Sequence, residues 1–157
     1  MTPRKRFKSP AIVQQPTGPW RVHFFQRHAA DDVALAVPAK AFLDACPNKV
    51  SALMIAVVRA VAATPPPAFS GGGKWEAMHG RMRGVYEVRV DGPSRHHYRL
   101  FCLLERYGAQ LGLGGPSLVL ITGKDKPFQT LLSDREYDEV LALVNEFRSR
   151  STRSVLP

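Results

Sequence analysis

Between Pro47 and Pro65 the apolar residues Val50, Leu53, Met54, Val57, Val58 and Val61 recur at i, i+3, i+4, i+7, i+8 and i+11. That is one full face of an α-helix. A helix apolar on one side must bury that side against a second layer, so the rest of the chain has to supply one. Thr64 and Pro65 to Pro67 stop the helix, because proline lacks the amide hydrogen and crowds the preceding turn. Asn48 can cap its start. A shorter helix precedes it, opened by Pro38 and running to about Cys46, where Pro47 ends it.

The second layer reads as strands. Trp20 to Phe25 is a short, aromatic-rich strand. Val85 to Val90 and His97 to Arg106 form a hairpin around an Asp91-Gly92 turn. After a Gly-rich connector from Tyr107 to Gly115, the continuously apolar run Leu118 to Thr122 reads as a central strand. Phe69 to Gly73 reads as a flexible loop; its Gly71-Gly72-Gly73 has no phosphate-binding context. A last helix starts at a capping box, Ser133 with Glu136, and buries Val140, Leu141, Val144 and Phe147. The expected fold is α+β: an N-terminal strand, a helical hairpin, a three-stranded antiparallel meander and a C-terminal helix.

The chain has 157 residues, enough for one domain with tails. Its formal net charge is +9, and discounting Arg4, Lys5, Arg6 and Lys8 near the N-terminus still leaves +5. A basic fold favours polyanions. Residues 1–18 read as a basic, disordered tail, 19–150 as the folded domain and 151–157 as a C-terminal tail. Two cysteines, Cys46 and Cys102, imply neither a disulfide framework nor a zinc site, and read as small core residues. No apolar run follows the basic start, and none approaches the ~20 residues that span a bilayer. The expected location is the cytoplasm.

The polar residues concentrate between Lys74 and Arg106. Strand alternation puts Glu87 and Arg89 on one face, and a simple hairpin sets Arg99 beside them. Lys124 and Lys126, in the loop expected after the third strand, reach the same edge. Two arginines, a glutamate and lysines suit a phosphodiester, because guanidinium grips phosphate bidentately. Cleaving RNA there needs no metal, since the ribose 2′-OH is the nucleophile. Glu87, His79 or Lys74 can accept its proton, Arg89 and Arg99 can hold the phosphorane, and Lys124 or Lys126 can serve the leaving 5′-oxygen. Lys74, His79, Arg81, Arg83, Arg95 and His97 are the candidate RNA-binding residues. The same glutamate and arginines also fit an ordinary cross-strand charge pair on a solvated face. His96 and His97 are adjacent in a strand, point to opposite faces and cannot jointly hold a metal.

The run from Trp75 to Phe101 resembles the central hairpin of RelE/HigB-type toxins of type II toxin–antitoxin systems. The matching segments are Met78-His79-Gly80, Tyr86-Glu87-Val88-Arg89 and Tyr98-Arg99-Leu100-Phe101, followed by the apolar strand with its basic exit, Gly123-Lys124-Asp125-Lys126. The resemblance spans about residues 19 to 150 and includes the order of elements. It implies a ribosome-dependent mRNA endonuclease, or mRNA interferase, that needs no cofactor, contacts 16S rRNA and mRNA, and is held inactive by an antitoxin protein. By position Arg89 and Arg99 match the family's phosphate-binding cations, Glu87 lies where some members have lysine, and Lys124 and Lys126 match the basic exit loop. Many members carry a catalytic Tyr or His shortly after that loop; Pro127-Phe128-Gln129-Thr130 has neither. A non-cleaving RNA- or partner-binding module of the same fold is the alternative.

Overall fold

A computed structural model describes residues 19–64 and 73–157. Residues 1–18, expected as a tail, and all but Gly73 of the expected 69–73 loop lie outside them. The described residues form an α+β fold. In chain order the elements are β1 (Arg21–Phe24), α1 (Pro38–Ala45), α2 (Asn48–Ala63), β2 (Trp75–Ala77), β3 (Tyr86–Gly92), β4 (His96–Glu105), β5 (Ser117–Pro127) and α3 (Asp134–Ser149). One five-stranded sheet runs β1-β5-β4-β3-β2.

The helical hairpin covers one face of this sheet. The α2 stripe buries Val50, Met54, Val57, Val58 and Val61 against Val88, Val90, Leu100, Cys102, Leu118 and Leu120. Leu53, on the edge of that stripe, stays exposed. Asn48 is the first residue of α2 rather than its cap; Pro47 holds the cap position and no side chain caps it. The opposite face carries Phe101, Leu103, Val119 and Ile121, covered by Val140, Val144 and Phe147 of α3. Ser133 and Glu136 make the expected capping box. Cys46 and Cys102 are free, buried thiols, and burial raises Cys46 to about 11. Among the described residues no helix is long and apolar enough to cross a membrane.

The meander departs from expectation in three ways. It has a fourth strand, β2, antiparallel to β3. β1 pairs in parallel with β5, so β5 is flanked on both sides and the sheet is mixed rather than all antiparallel. The hairpin turn falls at Pro93–Arg95, with Ser94 and Arg95 at positive φ, while Asp91 and Gly92 remain paired in β3. Beyond α3, Val155 forms a bridge with Phe25 just past β1.

The expected exit loop Gly123–Lys126 also lies inside β5, paired with β4 from His97 to Leu100. A β-bulge makes this segment usable. Cys102 pairs with Leu120 and Phe101 with Thr122, so Ile121 is an extra residue on β5. Strict alternation from Val119 and Ile121 would turn Gly123 and Asp125 toward α3. The extra residue shifts the phase and puts Lys124 and Lys126 on the α3 side. Gly123 then faces α1, where a Cβ would run into the Phe42 ring. Gly123→Ala should therefore lower stability by about 1–3 kcal/mol through overpacking. Urea unfolding measures this, and an unchanged midpoint would mean that α1 does not sit this close.

Candidate functional site

Register lays the polar residues out in rows across the α3-side face. Asp91, His97 and Lys126 are cross-strand partners in one row; Arg89, Arg99 and Lys124 form the next. Glu87 follows along β3, opposite the buried Phe101. Because α3 begins only at Asp134, its apolar stripe covers the Phe101 end of this face and leaves the charged rows open. A hollow of about 160 Å³ results, lined by Glu87, Arg89, His97, Arg99, Lys124 and Lys126 from the sheet and by Thr130, Leu131, Leu132 and Tyr137 from the approach to α3 and its second turn. A wider cleft adjoins it and shares Arg89, His97 and Arg99, adding Lys74, Asp91 and Leu53.

Two arginines placed directly opposite each other repel. Here Glu87 lies between them, 3.6 Å from Arg89 and 3.9 Å from Arg99. Glu76 of β2 takes a further hydrogen bond from Arg89 at 3.0 Å. The trio is not the solvated surface pair that spacing alone also allowed, because the Glu87 and Arg99 side chains are only 13% and 15% exposed. Burial raises the Glu87 carboxyl despite the opposing pull of Arg99 and Arg89. Burial, then the like charge of Arg89, lowers Arg99. Both shifts mark charges held partly out of water, where an incoming anion is attracted more strongly than at a solvated surface.

The two lysines are held by α3. Lys126 pairs with Glu136 at 2.6 Å, and Lys124 is in close contact with Glu139. These bonds hold both glutamate carboxyls below their usual range. The remaining sequence candidates divide. Lys74 and His97 join the arginines. Arg95 lies 5.9 Å over the Phe128 ring at the turn. Arg81 is tied to Asp134 and Asp138 of α3. His79 and Arg83 line a separate hollow with Tyr86. His96 pairs with Asp125 at 3.2 Å, apart from His97. Trp75 and Tyr86 stack on each other at 5.2 Å beside the α2 core.

Tyr137 is the lining residue that sequence reasoning passed over. Its hydroxyl is pushed up by burial first and by the Glu87 charge second, so it keeps its proton at neutral pH. A signal for it exists, since Tyr137, Val140, Val144 and Phe147 continue one helical stripe outward by a turn. The arrangement offers cations for a phosphate, carboxylate and imidazole groups able to take a proton, and a phenol able to give one.

No protein-family model matches the chain. No curated protein matches it either. Among solved structures, the toxin–antitoxin complex RelBE2 from Mycobacterium tuberculosis is similar at 12% sequence identity and a TM-score of 0.44, covering 71% of this chain and 97% of that one.

The Glu87 carboxyl should titrate above the ordinary glutamate range. Arg99→Met, which keeps the bulk but removes a charge that favours the carboxylate, should move it higher still. Carboxyl carbon NMR across a pH series reads both, and a Glu87 value at or below that of an exposed glutamate would contradict the burial.

Proposed function

We propose that this protein is an RNA-cleaving toxin of the RelE/HigB type, acting on translated mRNA at the ribosome and restrained by an antitoxin protein. The carrying observation is the partly buried Arg89–Glu87–Arg99 trio opening into a hollow flanked by Lys124, Lys126 and Tyr137. The motif resemblance from Trp75 to Phe101 adds the ribosome, the mRNA and the antitoxin. The open half of the sheet face carries the cations that a phosphodiester requires.

In this reading Arg89 and Arg99 bind the scissile phosphate and stabilise the phosphorane as charge builds on its oxygens. The 2′-oxygen attacks phosphorus, the bond to the 5′-oxygen breaks, and the products are a 2′,3′-cyclic phosphate and a 5′-OH. Proximity and charge do most of this work, because the nucleophile and the leaving group belong to one substrate. Glu87 keeps the two guanidiniums in register. The N-terminal acids of α3 hold the lysines until substrate phosphates compete for them.

A second reading is a module of the same fold that binds RNA or its partner without cutting. The pairing of Lys124 and Lys126 with Glu139 and Glu136 favours it, since both cations are neutralised within the chain.

Induced expression in bacteria should arrest growth, and Arg89→Ala/Arg99→Ala should abolish the arrest while remaining folded. Loss of one phosphate-holding donor should lower cleavage about 10²–10³-fold. Mapping of RNA ends should show 5′-OH cuts within translated mRNA. Arrest that persists in the folded double variant would overturn the role of the trio, whereas a non-toxic wild type that still binds RNA would favour the second reading.

A further inference from the structure

The first row of the face holds an arrangement that a phosphate grip does not require. Asp91 and His97 are direct cross-strand partners, and the Asp91 carboxylate lies 2.6 Å from Nδ1 of His97. An ionised carboxylate only accepts hydrogen bonds, so Nδ1 is the donor to Asp91 and, in the neutral ring, the lone pair lies on Nε2. Nε2 has no protein partner among the described residues. The ring is fixed from the side by Phe128, stacked at 4.5 Å with 29° between planes, and Arg95 lies over the same phenyl ring. His97 lines both the small hollow with Tyr137 and the adjoining cleft with Lys74. An imidazole held in one tautomer by a carboxylate, buttressed on one face and bordering a cationic hollow is prepared for proton transfer.

Resting on the ribonuclease reading above, we propose that His97 is the catalytic residue that removes the 2′-OH proton, with Asp91 as its positioning residue and Tyr137 as the proton donor to the 5′-oxygen. The 2′-O–H proton passes to Nε2, the 2′-oxygen bonds to phosphorus, and the P–O5′ bond breaks as the Tyr137 hydroxyl proton moves to the 5′-oxygen. The imidazolium proton then returns to the tyrosinate through water, which restores both groups. Glu87 is the poorer base. Protonating it would remove the one charge that lies against both Arg89 and Arg99 and leave Glu76 to compensate Arg89 alone, whereas the imidazolium forms against Asp91.

The charged and titratable surroundings of His97 set its behaviour. Asp91 faces it from β3, Lys126 from β5 and Arg99 from β4. Arg89, Lys74, Lys124, Glu87 and Tyr137 share its two hollows. Glu136 holds Lys126, and Arg95 lies over the Phe128 ring.

The test is single-turnover cleavage of end-labelled mRNA on programmed ribosomes across a pH series. Wild type should show an acidic limb, where protonation of the base removes its activity. His97→Gln should lose that limb and about 10²–10⁴-fold in rate, with mRNA-complex affinity within threefold of wild type. Asp91→Asn should move the limb to lower pH, because the imidazolium loses its counter-charge. An active wild type matched by His97→Gln in rate and pH profile would overturn the assignment and leave the ribonuclease reading standing. A wild type that cuts nothing would overturn both. Nitrogen NMR of the ring supplies a readout independent of activity: a neutral His97 protonated at Nε2 rather than Nδ1 would sink the dyad.

Discussion

One extra residue in β5 decides what this sheet can do. With Ile121 bulged out, Lys124 and Lys126 turn toward the open face and Gly123 turns toward Phe42. Without it the same strand would point Asp125 at the two arginines and press Lys124 and Lys126 against the helical hairpin. The bulge therefore serves packing and charge together. It lets α1 lie close on a strand that has no side chain at Gly123, and it brings the third strand's cations into line with Arg89, Arg99 and His97.

Burial then makes those charges effective. The apolar half of the face, Phe101 and Leu103 under Val140, Val144 and Phe147, anchors α3 and ends where the charged rows begin. The trio sits at this boundary, neither in bulk water nor sealed in the core. Paired charges there cost desolvation, which the raised carboxyl of Glu87 and the lowered guanidinium of Arg99 record. A phosphate entering the hollow would meet cations whose hydration has already been reduced. The acids at the start of α3 compensate the outer cations of this face, so the folded protein need not hold Lys124, Lys126 and Arg81 as unpaired charges.

Much of this was legible in the sequence because period-2 and period-3.6 patterns are local. The α2 stripe, the capping box at Ser133 and the shared face of Glu87, Arg89 and Arg99 all follow from spacing. Lys124 and Lys126 reach the expected edge for a different reason: they extend β5, and only the bulge gives them the right face. A bulge leaves no mark in an apolar run such as Leu118–Thr122, where every residue suits either side. The parallel pairing of β1 with β5 joins residues 96 positions apart and has no local signature. Three residues, Trp75 to Ala77, are too few for alternation to reveal β2. Tyr137 is not legible from Pro127–Thr130, because it lies seven residues past Thr130 and reaches the hollow only through the α3 stripe.

The central claim is that this face cuts a phosphodiester rather than only holding one. The most direct measurement incubates the purified protein with ribosomes programmed with end-labelled mRNA and analyses the chemistry of the new ends. Fragments ending in 2′,3′-cyclic phosphate and beginning with 5′-OH are the predicted result. Intact mRNA in a sample where the protein is folded and bound to the RNA would contradict it.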